Sequence, residues 1–144
     1  MSIGKIMAVS AISTTTLNVT WDDGYSARID LGDIIASRAA LASLSDAQHF
    51  AAVEISADGW SLEWPCGVDF GASQLRRWAD EQAGQTMPAS GFRAWMEGHG
   101  FTLEKAADAL GVSRRTIAYY LSGEQPVPKT VMLATMGYDQ QIAA

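Results

Sequence analysis

The glycines at 100, 111 and 123 constrain this chain more than any other feature. From Phe92 to Leu121 apolar residues return at the three- and four-residue intervals of a helix, and the glycines cut that run into pieces of about ten residues. A glycine past a helical stretch takes a positive φ at the lowest cost, so each piece predicts a separate short helix. Phe92, Trp95 and Met96 share a face of the first piece. Phe101, just beyond Gly100, is placed to fold back as the hydrophobic contact of a glycine cap. Thr102 then caps Leu103–Leu110, whose inner face is Leu103, Ala106, Ala107 and Leu110. Gly111 supplies the turn, Ser113 caps a helix running to Leu121, and Gly123 closes it. After "EQPVP", a short last helix is expected over Lys129–Met136.

The first half carries a different period. "TTTLNVTW" (Thr14–Trp21) and "YSARIDL" (Tyr25–Leu31) alternate apolar and polar residues around Asp22, Asp23 and Gly24, which predicts a hairpin. Ile3–Ala11 is a further strand candidate. Asp33 is placed as the N-cap of a helix carrying Ile34, Ile35, Arg38, Leu41 and Leu44. "FAAVEIS" and "WSLEW" around "ADG" predict a second hairpin, with the run before Pro65 as an edge strand. Ala72–Gln82 reads as a helix with Leu75, Trp78 and Ala79 on one side. The order predicts an α+β domain of β-hairpins plus two helices over residues 1–85, then an all-α domain over 86–144. "AGQTMPAS" (Ala83–Ser90) is the expected connection.

Charge divides the same way. Residues 1–85 hold five Lys/Arg against eleven Asp/Glu and residues 86–144 five against five, so the net charge of −6 belongs to the first part. The opening "MSIGKIMAVSAIS" has no apolar run of signal-peptide or membrane length, and Cys66 is the single cysteine. A cytoplasmic protein without an intramolecular disulfide is expected. His49 and His99 have no ligand-spaced partner, and no metal or cofactor is implied. Of Asp22, Asp23, Asp30, Asp33, Asp58 and Asp69, nearly all are expected at turns or helix starts, with no nucleophile or paired base beside them, so no enzyme is expected.

The second half points to a nucleic-acid reader. Two capped helices meeting at a small residue (Ala107) across a glycine turn make a helix-turn-helix. At about 100° per residue, with Ile117 inward, Arg115, Ala118, Tyr119 and Ser122 face out, and Arg114 flanks them. A recognition helix offers its N-terminal residues to base edges, and arginine grips guanine with two hydrogen bonds. The helix starts after Thr102 and Ser113 can hold phosphates through free N–H groups. Lys129, Arg93 and Lys105 are candidate contacts to the phosphate backbone.

"FTLEKAADALGVSRRTIAYYLSGE" (Phe101–Glu124) resembles the helix-turn-helix of the lambda Cro/repressor-like family of bacterial DNA-binding domains. The resemblance implies operator binding on double-stranded DNA, usually as a homodimer. It implies that Ser113, Arg114, Arg115, Ala118, Tyr119 and Ser122 face DNA. "GYDQQIAA" is short for a further dimerising helix, which directs any dimer to the first domain. "TWDDGYSARIDL" with "WSLEWPCGVDFGASQL" resembles a small bacterial domain of unknown function, sometimes encoded beside toxin–antitoxin-like genes.

These readings converge on a sequence-specific DNA-binding transcriptional regulator. The alternative is a protein–protein module, an antitoxin-like partner whose acidic first domain covers a small basic protein while the helix-turn-helix serves as scaffold.

Overall fold

The computed structural model describes residues 4–143, so Ile3 of the expected first strand lies outside the described residues. Two compact units divide between Gln82 and Ala83.

In the N-terminal unit β1 (Ile6–Ala11), β2 (Thr16–Trp21) and β3 (Ser26–Asp30) form an antiparallel meander in that order. Alternation buries Leu17, Val19 and Trp21 of β2 on one face. The β2–β3 loop is Asp22, Asp23 and Gly24. Gly24 N–H donates to Trp21 C=O at 3.0 Å. Its φ of +88° is the left-handed position that a three-residue hairpin loop requires.

The helix expected next is broken into two pieces, α1 (Gly32–Ser37) and a 3-10 segment (Ala39–Ser45), and a further short helix, α2 (Ala47–Ala51), follows. Asp33 is not the N-cap of α1. That position is Leu31, and Asp33 sits inside the first turn. The carboxylate bonded to the helix start is Asp30, whose Oδ1 accepts from Gly32 N–H at 2.8 Å. Arg38 is extended (φ −130°, ψ 116°), and Leu41 and Leu44, three apart, are both buried by the 3-10 segment that follows. Asp46 caps α2 by accepting from His49 N–H at 3.2 Å. Phe50 is therefore a helical core residue rather than part of a strand, and only Glu54–Ile55 of "FAAVEIS" is extended, as β4.

β4 pairs with β5 (Ser61–Glu63), and β5 pairs with β6 (Asp69–Gly71), all antiparallel. β5 is therefore central rather than an edge. Of the six aspartates, Asp30 and Asp69 lie in strands, at the end of β3 and the start of β6. The helix α3 (Ala72–Gln82) covers the range its pattern predicts and buries Leu75 and Ala79. The core joins Leu17, Val19, Trp21, Ile29, Leu44, Phe50, Leu62 and Leu75, each contributing about 1.5–3 kcal/mol for a fully buried large side chain. Two buried indoles find backbone acceptors: Trp21 Nε1 donates to Ala72 C=O at 3.2 Å, and Trp64 Nε1 to Phe50 C=O at 2.9 Å.

The C-terminal unit comprises β7 (Thr86–Met87), α4 (Ala89–His99), α5 (Leu103–Leu110), α6 (Arg114–Ser122), β8 (Val127–Pro128) and α7 (Lys129–Ala143). β7 lies within the stretch read as a connection and pairs antiparallel with β8. The last helix is longer than the pattern predicts and passes through Gly137. Tertiary contacts oppose the cost of about 1 kcal/mol for a mid-helix glycine. Tyr138 packs edge-on against Trp95 and Phe101, and Asp139 accepts a hydrogen bond from Trp95 Nε1 at 2.9 Å. An α+β unit followed by a helical one is the architecture expected.

Candidate nucleic-acid interface

The α5–turn–α6 segment is fixed by its caps. Gly100 is left-handed, and Phe101 N–H reaches Met96 C=O at 2.9 Å while Gly100 N–H reaches Glu97 C=O at 3.1 Å. This Schellman closure turns Phe101 back onto Trp95, with ring centroids 5.4 Å apart. Thr102 Oγ1 accepts from Lys105 N–H at 3.2 Å and starts α5. Gly111 (φ +72°) ends α5, with both its own N–H and that of Val112 on Ala107 C=O. Ser113 Oγ accepts from Thr116 N–H at 3.1 Å and starts α6.

Packing then sets which side of α6 faces out. Ile117 and Tyr120 are buried with Phe92, Ala106 and Ala107, and burial raises the Tyr120 hydroxyl pKa above its ordinary value. Arg114, Arg115, Ala118 and Ser122 are exposed, while Tyr119 is half-buried. The two arginines make no ion pair or side-chain hydrogen bond among the described residues.

Some of the expected contact residues already hold intramolecular hydrogen bonds. The Ser113 hydroxyl is engaged as a cap and lies 2.9 Å from Thr116 Oγ1. The Ser122 hydroxyl donates to Tyr119 C=O at 3.2 Å and accepts from Glu124 N–H at 3.3 Å. Thr102 and Lys129 sit at the starts of two other helices, α5 and α7, and Lys129 and Lys105 are exposed. Arg93 is exposed, and its guanidinium makes a long hydrogen bond to Leu121 C=O, near the C-terminus of α6, at 3.5 Å. Helical spacing could not reveal that contact, because it depends on how α4 crosses α6. The free polar groups on the outward face of α6 are therefore the two guanidiniums and the hydroxyl of half-buried Tyr119, with the Ala118 methyl among them.

In the other unit, an open hollow of about 350 Å³ is lined by Thr14, Thr15, Ile35, Ala36, Arg38 and Ala42 among others. Cys66 is exposed in the turn after Trp64, and its thiol pKa is lowered by hydrogen bonds from the Ser43 hydroxyl and the Val68 amide. Among the described residues, no group of three His, Cys, Asp or Glu could hold a metal ion, and no helix is long and apolar enough to cross a membrane.

Residues 6–81 match the family "Protein of unknown function (DUF2442)", more than half of the chain. This chain belongs to the DUF2442 family. Beyond the DUF2442 region, residues 92–134 match the family "Helix-turn-helix", from the buried Phe92 of α4 into α7. A crystal structure of NE0471 from Nitrosomonas europaea, named as a candidate DNA-binding protein, is 35% identical to this DUF2442 chain. The alignment covers 96% of this chain and 90% of that one, with a TM-score of 0.55. A comparison with curated proteins finds no match.

Proposed function

We propose that this DUF2442 protein is a sequence-specific DNA-binding transcriptional regulator, acting as a homodimer in the cytoplasm, with α6 as its reading helix. The observation that carries the reading is the pair Arg114–Arg115, exposed and unpaired at the capped start of α6. Guanine O6 and N7 can each accept one bond of an arginine fork, a contact worth about 1–3 kcal/mol of base discrimination. Ala118, one turn on, offers a methyl surface suited to the methyl of thymine. The similarity to NE0471 and the helix-turn-helix match favour the same role. The helix-turn-helix match and the similarity to NE0471 favour a protein that acts by binding rather than by catalysis.

The acidity of the first unit fits this reading. It lowers non-specific adhesion, which is electrostatic, and leaves specificity to few contacts. Selection from random duplexes on the full chain tests the reading. Enrichment of an inverted repeat rich in G·C pairs is expected, since dimer symmetry is mirrored in the operator. Failure to enrich any sequence contradicts it.

One observation favours a protein partner as a second reading. Glu54 stands opposite Glu63, and Glu63 opposite Asp69, across three neighbouring strands. Like charges placed opposite one another are destabilising, and a basic partner relieves that repulsion. Such a partner and DNA can be bound by the same chain.

A further inference from the structure

β3 is an edge strand with one of its three outward positions already filled. Trp21 N–H donates to Tyr25 C=O, and Leu31 N–H donates to Thr15 C=O. The ladder to β2 therefore uses Tyr25, Ala27, Ile29 and Leu31, and the backbone groups of Ser26, Arg28 and Asp30 point away from it. At Asp30 the carboxamide of Gln82, the last residue of α3, takes both groups. Its Oε1 accepts from Asp30 N–H at 2.8 Å, and its Nε2 donates to Asp30 C=O at 2.8 Å. One acceptor and one donor at a single residue is what a neighbouring strand supplies. Ser26 and Arg28 have no such cover; both are exposed, and Arg28 has no ion-pair partner among the described residues.

We propose that β3 pairs antiparallel with β3 of a second copy of this chain, Arg28 opposite Asp30 of that copy, with Gln82 leaving the Asp30 position as the strands meet. The proposal rests on the homodimer reading above and gives it an interface. Charge selects the register. Arg28 and Asp30 alternate on the outer face of the sheet, so this register sets opposite charges across from each other twice around one two-fold axis. Placing Arg28 on Arg28 opposes like charges, and placing Ser26 on Arg28 leaves Asp30 unmatched. The outer face of β2 and β3 carries small side chains, Thr16, Asn18, Thr20 and Ser26, beside the charged pair, while α3 runs along β3, with Arg76 over the Tyr25 ring and Gln82 at Asp30. Each Gln82 surrenders two hydrogen bonds that the partner strand replaces, and each Arg28 backbone gains two. Until then Gln82 keeps the edge closed to indiscriminate pairing, a hazard that open strand edges carry.

Sedimentation equilibrium of the full chain tests this, with far-UV circular dichroism confirming that each variant is folded. The wild type should show a reversible monomer–dimer equilibrium. Gln82→Ala should tighten it by on the order of tenfold, because the slot no longer has to be vacated. Arg28→Asp should weaken association, and Arg28→Asp/Asp30→Arg should restore it. Association that Gln82→Ala does not strengthen, or that Arg28→Asp leaves unchanged, overturns the interface. A dimer indifferent to every variant rejects this edge while keeping the homodimer, and a chain monomeric throughout rejects both. DNA reading by α6 is judged separately, by titration of the arginine variant.

Discussion

Asp139 holds one carboxylate oxygen 2.7 Å from Nε2 of His99, so the late part of α7 is tied to the end of α4. The same oxygen accepts from Trp95 Nε1 at 2.9 Å. These bonds, Trp95 first and then His99, lower the Asp139 pKa below the ordinary carboxylate value. A lowered folded-state pKa gives stability that is complete above the unfolded value and is lost as pH falls through the folded one.

Acid should therefore weaken the wild type more than Asp139→Asn, starting as pH drops below roughly 5. At neutral pH the variant should be the less stable. Thermal unfolding of both proteins across that range checks this. Asp23 and Asp58, also lowered, contribute to the acid loss in both proteins and cancel in the comparison. Parallel pH curves for the two proteins contradict the assignment.

Trp64→Phe should destabilise the first unit by about 1–3 kcal/mol, the cost of leaving a buried acceptor unsatisfied. The ring is buried, and its Nε1 bonds Phe50 C=O, so the loss follows from the missing N–H as well as from lost volume. Urea denaturation measures it. A loss below the range of a surface substitution contradicts the role given to this bond.

Gly111→Ala should cost about 1–2 kcal/mol, the penalty for a side chain in the left-handed region. Nothing lies within 4 Å of where its Cβ would stand, so the penalty is conformational rather than steric crowding from a neighbour. Gly111→Asn should cost less, since asparagine tolerates this conformation. Thermal melts of the two variants decide it. An asparagine variant no better than the alanine one contradicts the account of the turn.

The helix-turn-helix was legible because its signals are local. Thr102, Gly111, Ser113 and Gly123 act within a few residues of themselves, and the structure places each at the helix end its type predicts. The first unit was less legible where tertiary burial overrides the local pattern. Leu41 and Leu44 fit a continuous helix in sequence, yet extended Arg38 separates them from α1. "DFG" at Asp69–Gly71 is too short to display a two-residue period and forms a strand through pairing with β5. On α6 the outward face was predictable from angle alone. The engagement of Ser122 and Arg93 was not, because it depends on hydrogen bonds that periodicity does not encode.

The measurement closest to the central claim is titration of a selected duplex with wild type and with Arg114→Ala/Arg115→Ala at two salt concentrations. The double variant should lose at least about thirtyfold in affinity, two arginine contacts at the lower end of their range. Its unfolding should stay within about 0.5 kcal/mol of wild type, because both side chains are exposed. Equal affinity of the two proteins for that duplex would contradict α6 as the reading helix.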